Sequence, residues 1–154
     1  MSGPIEIVAL GTVEGGRTEN VDDAWGAVEA EIVLADHVPD GALEGLEGFS
    51  HLEVITLLDR AVDPGSSESR RHPRGIASLP SVGVLAQRHK DRLGRIGLSR
   101  CEVVSVGERR VRVRGLDVID ATPVLDLKPW FSAFGPRGEV VEPDWVSVVT
   151  GAYF

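Results

Sequence analysis

Residues 101–114 read Cys101-Glu102-Val103-Val104-Ser105-Val106-Gly107-Glu108-Arg109-Arg110-Val111-Arg112-Val113-Arg114. The first six residues are valine-rich. Val106-Gly107-Glu108 is turn chemistry, and the last five residues alternate Arg with Val. Period-two alternation places Val111 and Val113 on one face and three arginines on the other, the signature of a half-buried strand. Working outward, 27–34 alternates in the same way: Val28, Ala30, Ile32 and Leu34 face one side, Glu29 and Glu31 the other. Further strands are expected at 5–10, ended by Gly11, and at 51–58, 82–86 and 124–127. Glu14-Gly15-Gly16, Asp63-Pro64-Gly65 and Gly135-Pro136-Arg137-Gly138 punctuate them. Helical signal is confined to a turn at 40–46 behind Asp40 and to 145–153 behind Asp144, where the valines also allow a strand. The pattern is mainly β: a small barrel or sandwich with one or two short helices.

At 154 residues the chain is expected to form a single domain, 1–154, large enough for a core without staples. One cysteine excludes an intramolecular disulfide framework and any Cys-rich zinc site. His37, His51, His72 and His89 are scattered without ligand spacing, so no metal is expected. His51 opens a strand and reads as a hydrogen-bonded core or turn residue. No apolar run nears the roughly 18 residues of a membrane span. Met1-Ser2-Gly3-Pro4 has no basic, apolar leader, and the expected compartment is the cytoplasm.

The net charge of −8 hides a segregation. Twelve of the 16 Lys plus Arg lie in 70–114, opposed only by Asp91, Glu102 and Glu108, a local balance of +9; the remainder carries −17. Such a segment is a candidate anion site, or else the two halves neutralise each other on the folded surface. The longest non-periodic stretch is 60–79, a loop rich in Pro, Gly, Ser and Arg.

Two segments carry candidate chemistry. In 83–99, Arg88, Lys90, Arg92 and Arg95 crowd a loop with Gly94 and Gly97, whose lack of a side chain permits close approach of a ligand. This is an anion pocket for carboxylate or phosphate, or a solvated loop. In 115–130, Asp117, Asp120 and Asp126 interrupt an apolar run. Carboxylates there need partners. They bind a cationic ligand, pair with the arginine loop or act as bases; alternatively Asp120 and Thr122 cap a turn while Asp126 pairs with Lys128. No G-x-G-x-x-G, P-loop, H-E-x-x-H or G-x-S-x-G occurs.

Together the motifs resemble the TsaA-like (YaeB/TrmO) family. Phe49-Ser50-His51 is similar to its G-F-S-H strand entry, and Arg71-His72-Pro73-Arg74-Gly75 to the R-H-P-R-G loop of one branch. Gly83-Val84-Leu85-Ala86-Gln87-Arg88 resembles G-[VI]-[FL]-A-[TQ]-R, and Ile96-Gly97-Leu98-Ser99 resembles I-G-[LV]-[ST]. Gly115-Leu116-Asp117 through Lys128-Pro129-Trp130 resembles G-L-D-x-[IL]-D-G-T-P-[VL]-L-D-[IL]-K-P-Y. The family's R-P-N loop is altered, with Leu93 and Gly94 in place of Pro and Asn; Ala121 replaces a glycine and Trp130 a tyrosine.

The resemblance implies a small β-barrel that dimerises, with S-adenosylmethionine bound near the dimer interface. It also implies methylation of N6 of threonylcarbamoyl adenosine in tRNA. The cofactor residues it points to are Gln87, Arg88, His89, Lys90, Arg92, Arg95, Ile96, Gly97, Leu98, Asp117, Thr122 and Pro123. Asp126, Asp120 and Lys128 would serve catalysis, orienting the acceptor or taking its proton. Arg70, Arg71, His72, Arg74, Arg112 and Trp130 would meet substrate or tRNA, with no membrane partner. The competing readings are a methyltransferase of a small metabolite and a dimeric module that binds the cofactor without turning it over.

Overall fold

The computed structural model describes residues 3–61 and 68–154; the turn expected at 63–65 lies outside them. Six antiparallel strands close into a barrel in the order β1-β2-β7-β6-β3-β8. These are β1 (Gly11–Glu14), β2 (Glu29–Leu34), β3 (His51–Leu57), β6 (Ile96–Val106), β7 (Arg110–Arg114) and β8 (Pro123–Pro129). A separate two-stranded sheet pairs β4 (Arg70–Arg71) with β5 (Val82–Gly83). One short helix, α1 (Trp145–Thr150), follows near the end of the chain. Closing the sheet on itself removes the exposed edges an open sheet of this size would carry.

The core is the barrel interior. Val13, Ile32, Leu52, Val54, Val111, Val113 and Val124 are fully buried, each at the inward position of its strand. The β2 and β7 alternations therefore fold as the sequence indicates. Outside, register sets opposite charges across from each other: Glu31 faces Arg112 and Glu29 faces Arg114, the cross-strand arrangement that stabilises a solvated sheet face.

Three expectations need correction. Residues 5–10 form no strand: Ile5, Ile7 and Val8 stay exposed, and Gly11 begins β1 instead of ending it. The run lacks alternation, so it offers no face to bury, and only Leu10 reaches the core. The strand at 82–86 stops at Gly83 and turns through a 3-10 turn, Val84–Ala86. The buried Gln87 side chain pulls the chain round by donating to the carbonyls of Arg71 (2.8 Å) and Val82 (3.1 Å). Finally, the expected loop at 60–79 holds β4 and a 3-10 turn, Pro73–Gly75.

The cluster around Asp117

The basic residues separate by partner. On β7, Arg110 and Arg112 both pair with Glu31, while Arg114 pairs with Glu29 (2.7 Å) and Glu102 (2.9 Å). Arg112, expected to meet substrate, thus has a neighbouring carboxylate. Arg70, Arg88 and Arg92 instead donate to backbone carbonyls, of Ser81, of Leu98 (3.0 Å), and of Val84 and Gln87 respectively. A carbonyl satisfies a donor without cancelling its charge, so Arg70, Arg88 and Arg92 keep their positive charge, while Arg71 and Lys90 beside them pair with Asp91 and Asp22.

Beside the Leu98 carbonyl that Arg88 holds, β6 meets a carboxylate. Asp117 follows β7 and is half-buried. Its Oδ1 accepts a hydrogen bond from the buried Ser99 hydroxyl on β6, and its Oδ2 accepts one from the Tyr153 hydroxyl. Burial first, then the charge and hydrogen bond of Asp117, push the Tyr153 phenol above its ordinary value, so it remains a donor. The buried Cys101 thiol is pushed up to about 12, by burial and then by Asp117, and stays a thiol without nucleophilic character. Arg74 lies 5.8 Å from the Tyr153 ring and grips the Asp23 carboxylate at 2.7 and 3.1 Å. The Arg74 hydrogen bond holds the Asp23 carboxyl below its usual range. Arg74 sits at φ 52°, a left-handed conformation that an L residue keeps only where its surroundings over-determine it.

Four separate motifs therefore converge: Arg74 from R-H-P-R-G, Arg88 from the arginine loop, Leu98-Ser99 from I-G-L-S, and Asp117 from G-L-D. Comparison with known proteins places these motifs within a family-wide match. The sequence model of the tRNA-methyltransferase O N-terminal domain matches residues 22–135. The chain belongs to this family. An S-adenosyl-L-methionine-binding protein of Archaeoglobus fulgidus is 32% identical over 108 residues, covering 66% of this chain and 68% of that protein. A tRNA (adenine(37)-N6)-methyltransferase of Escherichia coli is 31% identical over 102 residues, covering 64% of this chain and 43% of the enzyme. A crystal structure of TrmO from Pseudomonas aeruginosa shares the fold at TM-score 0.74 and 22% identity, over 94% of this chain and 62% of that one. The chain spans 44% of the length of a Pseudomonas aeruginosa relative that is 36% identical to it.

The remaining family positions fall into three places. In the arginine loop, the ring nitrogens of His89 and the Oδ1 of Asp91 are enclosed without a hydrogen-bonding partner. Burial, with Arg71 and Arg92 next, pushes the His89 imidazole down. Lys90 reaches Asp22 at 3.9 Å, and the Asp91 carboxylate lies 3.7 Å from Arg71. Arg95, not Gly94, takes the left-handed backbone position, at φ 50°. His72 contacts the Leu79 carbonyl through Nδ1 at 2.6 Å, which assigns that nitrogen the proton.

On the barrel's outer face, register aligns Leu98 with Ile55 and Ile55 with Asp126. Asp126 is therefore two strand spacings, roughly 10 Å, from Leu98. It pairs with Lys128 at 2.7 Å. In the next outward row Arg100 pairs with Glu53 at 2.9 Å and lies 4.5 Å over the Trp130 ring.

The third place is the turn before β8. The Asp120 carboxylate accepts from the Gly15 N–H (2.8 Å) and its carbonyl accepts from Arg60. The buried Thr122 donates to the Ile119 carbonyl at 2.6 Å, ahead of Pro123. Asp120 and Thr122 thus hold the turn in place. Ser99 and Tyr153 were missed from sequence. Ser99 stands inside the I-G-L-S motif, whereas Tyr153 ends the 145–153 stretch, which carries a helical signal but no chemical motif.

A concavity elsewhere is lined by Asp40, Glu44, Glu47 and Glu108 together with Leu43 and Val106. It contains none of the family positions, and its acidic lining repels a carboxylate or phosphate.

Proposed function

We propose that this domain binds S-adenosylmethionine at the Asp117 cluster and transfers its methyl group to N6 of threonylcarbamoyl adenosine in tRNA. The observation that carries this reading is the convergence on β6, where Arg88 holds the Leu98 carbonyl and the next residue, Ser99, holds Asp117. An oriented carboxylate near a guanidinium whose charge a carbonyl leaves in place matches the amino-acid end of the cofactor, which carries one ammonium and one carboxylate. The names of the relatives, an S-adenosyl-L-methionine-binding protein and a tRNA (adenine(37)-N6)-methyltransferase, support the cofactor and a tRNA adenine as acceptor.

When bound, the cofactor supplies an electrophilic methyl group on a sulfonium. The protein's work is then alignment and exclusion of water. Asp117 accepts hydrogen bonds from the ammonium or ribose hydroxyls, and Arg88 with Arg92 attracts the carboxylate. Asp126, with Lys128 beside it, orients the acceptor or takes its proton. Leu85, Leu93, Ile96 and Leu98 are exposed around the loop. Together they support a homodimer that covers the site's rim. The domain is read as cytoplasmic; among the described residues, no helix is long and apolar enough to cross a membrane.

A second reading, a small-molecule acceptor, is favoured by one observation: the arginines of β7 are already matched by Glu29, Glu31 and Glu102. Incubation with methyl-labelled cofactor and either total tRNA or a small-molecule extract, followed by nucleoside mass spectrometry, separates the two. A methylated threonylcarbamoyl adenosine is expected. Label only in the small-molecule fraction favours the second reading, and cofactor bound without any transfer favours a non-catalytic binding module.

A further inference from the structure

Residues 136–154 lie beyond the 22–135 stretch that matches the family, yet the last of them return to Asp117. The return is built into the backbone. The N–H of Ala24 donates to the Ala152 carbonyl (2.9 Å) and that of Trp25 to the Tyr153 carbonyl (2.8 Å). Gly26 makes room for the next residue: a Cβ built on it would stand 2.8 Å from the Phe154 carbonyl carbon. Phe154 packs edge-on against the Tyr153 ring, with centroids 4.9 Å apart, and Arg74 approaches that ring. Ala24, like Arg74, holds a left-handed backbone at φ 60°. This returning segment, a strap over the barrel's flank, is thus anchored at one strained non-glycine residue, Ala24, and approached by another, Arg74.

We propose that Tyr153 is a positioning residue of the cofactor site, supplied from outside the family domain, which fixes the Asp117 carboxylate through its hydroxyl. The proposal rests on the reading of Asp117 as a cofactor ligand. With Ser99 on one oxygen and Tyr153 on the other, neither oxygen is free to rotate away. Each keeps an acceptor position for a ligand donor, since a carboxylate oxygen has two. Removing the phenolic hydroxyl leaves Oδ2 without its partner and lets the carboxylate plane turn. The phenol, held protonated by its surroundings, is suited to donate and not to accept.

The test is calorimetric titration of S-adenosylmethionine into the full chain. Wild-type protein binds, and Tyr153→Phe raises Kd by about 10-fold or more, the usual consequence of losing a hydrogen bond to a charged group. Gly26→Val, which lifts the strap but keeps the tyrosine, weakens binding in the same direction. In an Asp117→Asn background, Tyr153→Phe costs little further affinity, a result that a purely structural role would not give. Binding by Tyr153→Phe within twofold of wild type overturns the proposal, as does an equal loss in both backgrounds. Failure of the wild-type chain to bind overturns the underlying cofactor reading itself, and it is seen before any variant is compared.

Discussion

Gly97 on β6 lies opposite Thr56 on β3, and a Cβ built on Gly97 would stand 2.5 Å from the Thr56 Oγ1 inside the barrel. Real Cβ atoms do not come that close, so the strand pairing itself demands glycine here. The residue had suggested close approach of a ligand; the barrel interior gives it a packing role. Gly97→Ala is expected to lower stability by about 1–3 kcal/mol, the usual cost of overpacking. In a Thr56→Ala background the same substitution costs less, because the clashing oxygen is gone. Urea midpoints of the four variants check this; equal costs in both backgrounds would contradict the assigned contact.

Uncompensated charge predicts which arginines a polyanion feels. Arg70 bonds a carbonyl, while Arg112 faces Glu31. If tRNA binds, Arg70→Glu reduces the slope of log affinity against log salt by about one phosphate contact, whereas Arg112→Glu leaves the slope unchanged. Filter binding between low and moderate salt measures both. A slope that responds to Arg112 and not to Arg70 would move the RNA surface back to β7.

The enclosed His89 imidazole titrates below its ordinary value of 6.5 in the folded chain. Between that depressed value and 6.5 the unfolded chain binds the proton and the folded chain does not. This contribution to stability is complete above about pH 6.5 and is lost as pH falls through the window. Urea midpoints at pH 7.5 and 5.5 should fall more for wild type than for His89→Gln. An equal fall in both would place the imidazole in solvent.

Much of the barrel was legible because period-two alternation is enforced wherever one face is buried. Arg110–Arg114 and the run through Ile32 and Leu34 could be placed from their pattern alone. Residues 5–10 misled because they are apolar without alternating, so composition indicated burial that pairing supplies only at Leu10. Ala121 shows another limit. It occupies φ 64°, where the family's glycine fits without strain, so the substitution changes the backbone's cost and not the turn's path. In the candidate site, Asp117 and Arg88 were visible through motifs. Their partners were not: the Leu98 carbonyl for Arg88, and Ser99 and Tyr153 for Asp117, are brought to them only by closure of the sheet and return of the chain. Nor does spacing show that the arginines of β7 face glutamates from β2 and β6.

The central claim is that Asp117, and not the carboxylate of Asp126, holds the cofactor. Calorimetric titration of S-adenosylmethionine into wild type, Asp117→Asn and Asp126→Asn tests it directly. The account predicts at least about a 10-fold loss of affinity for Asp117→Asn and near wild-type binding for Asp126→Asn. Wild-type affinity in Asp117→Asn, with binding lost in Asp126→Asn, would contradict it.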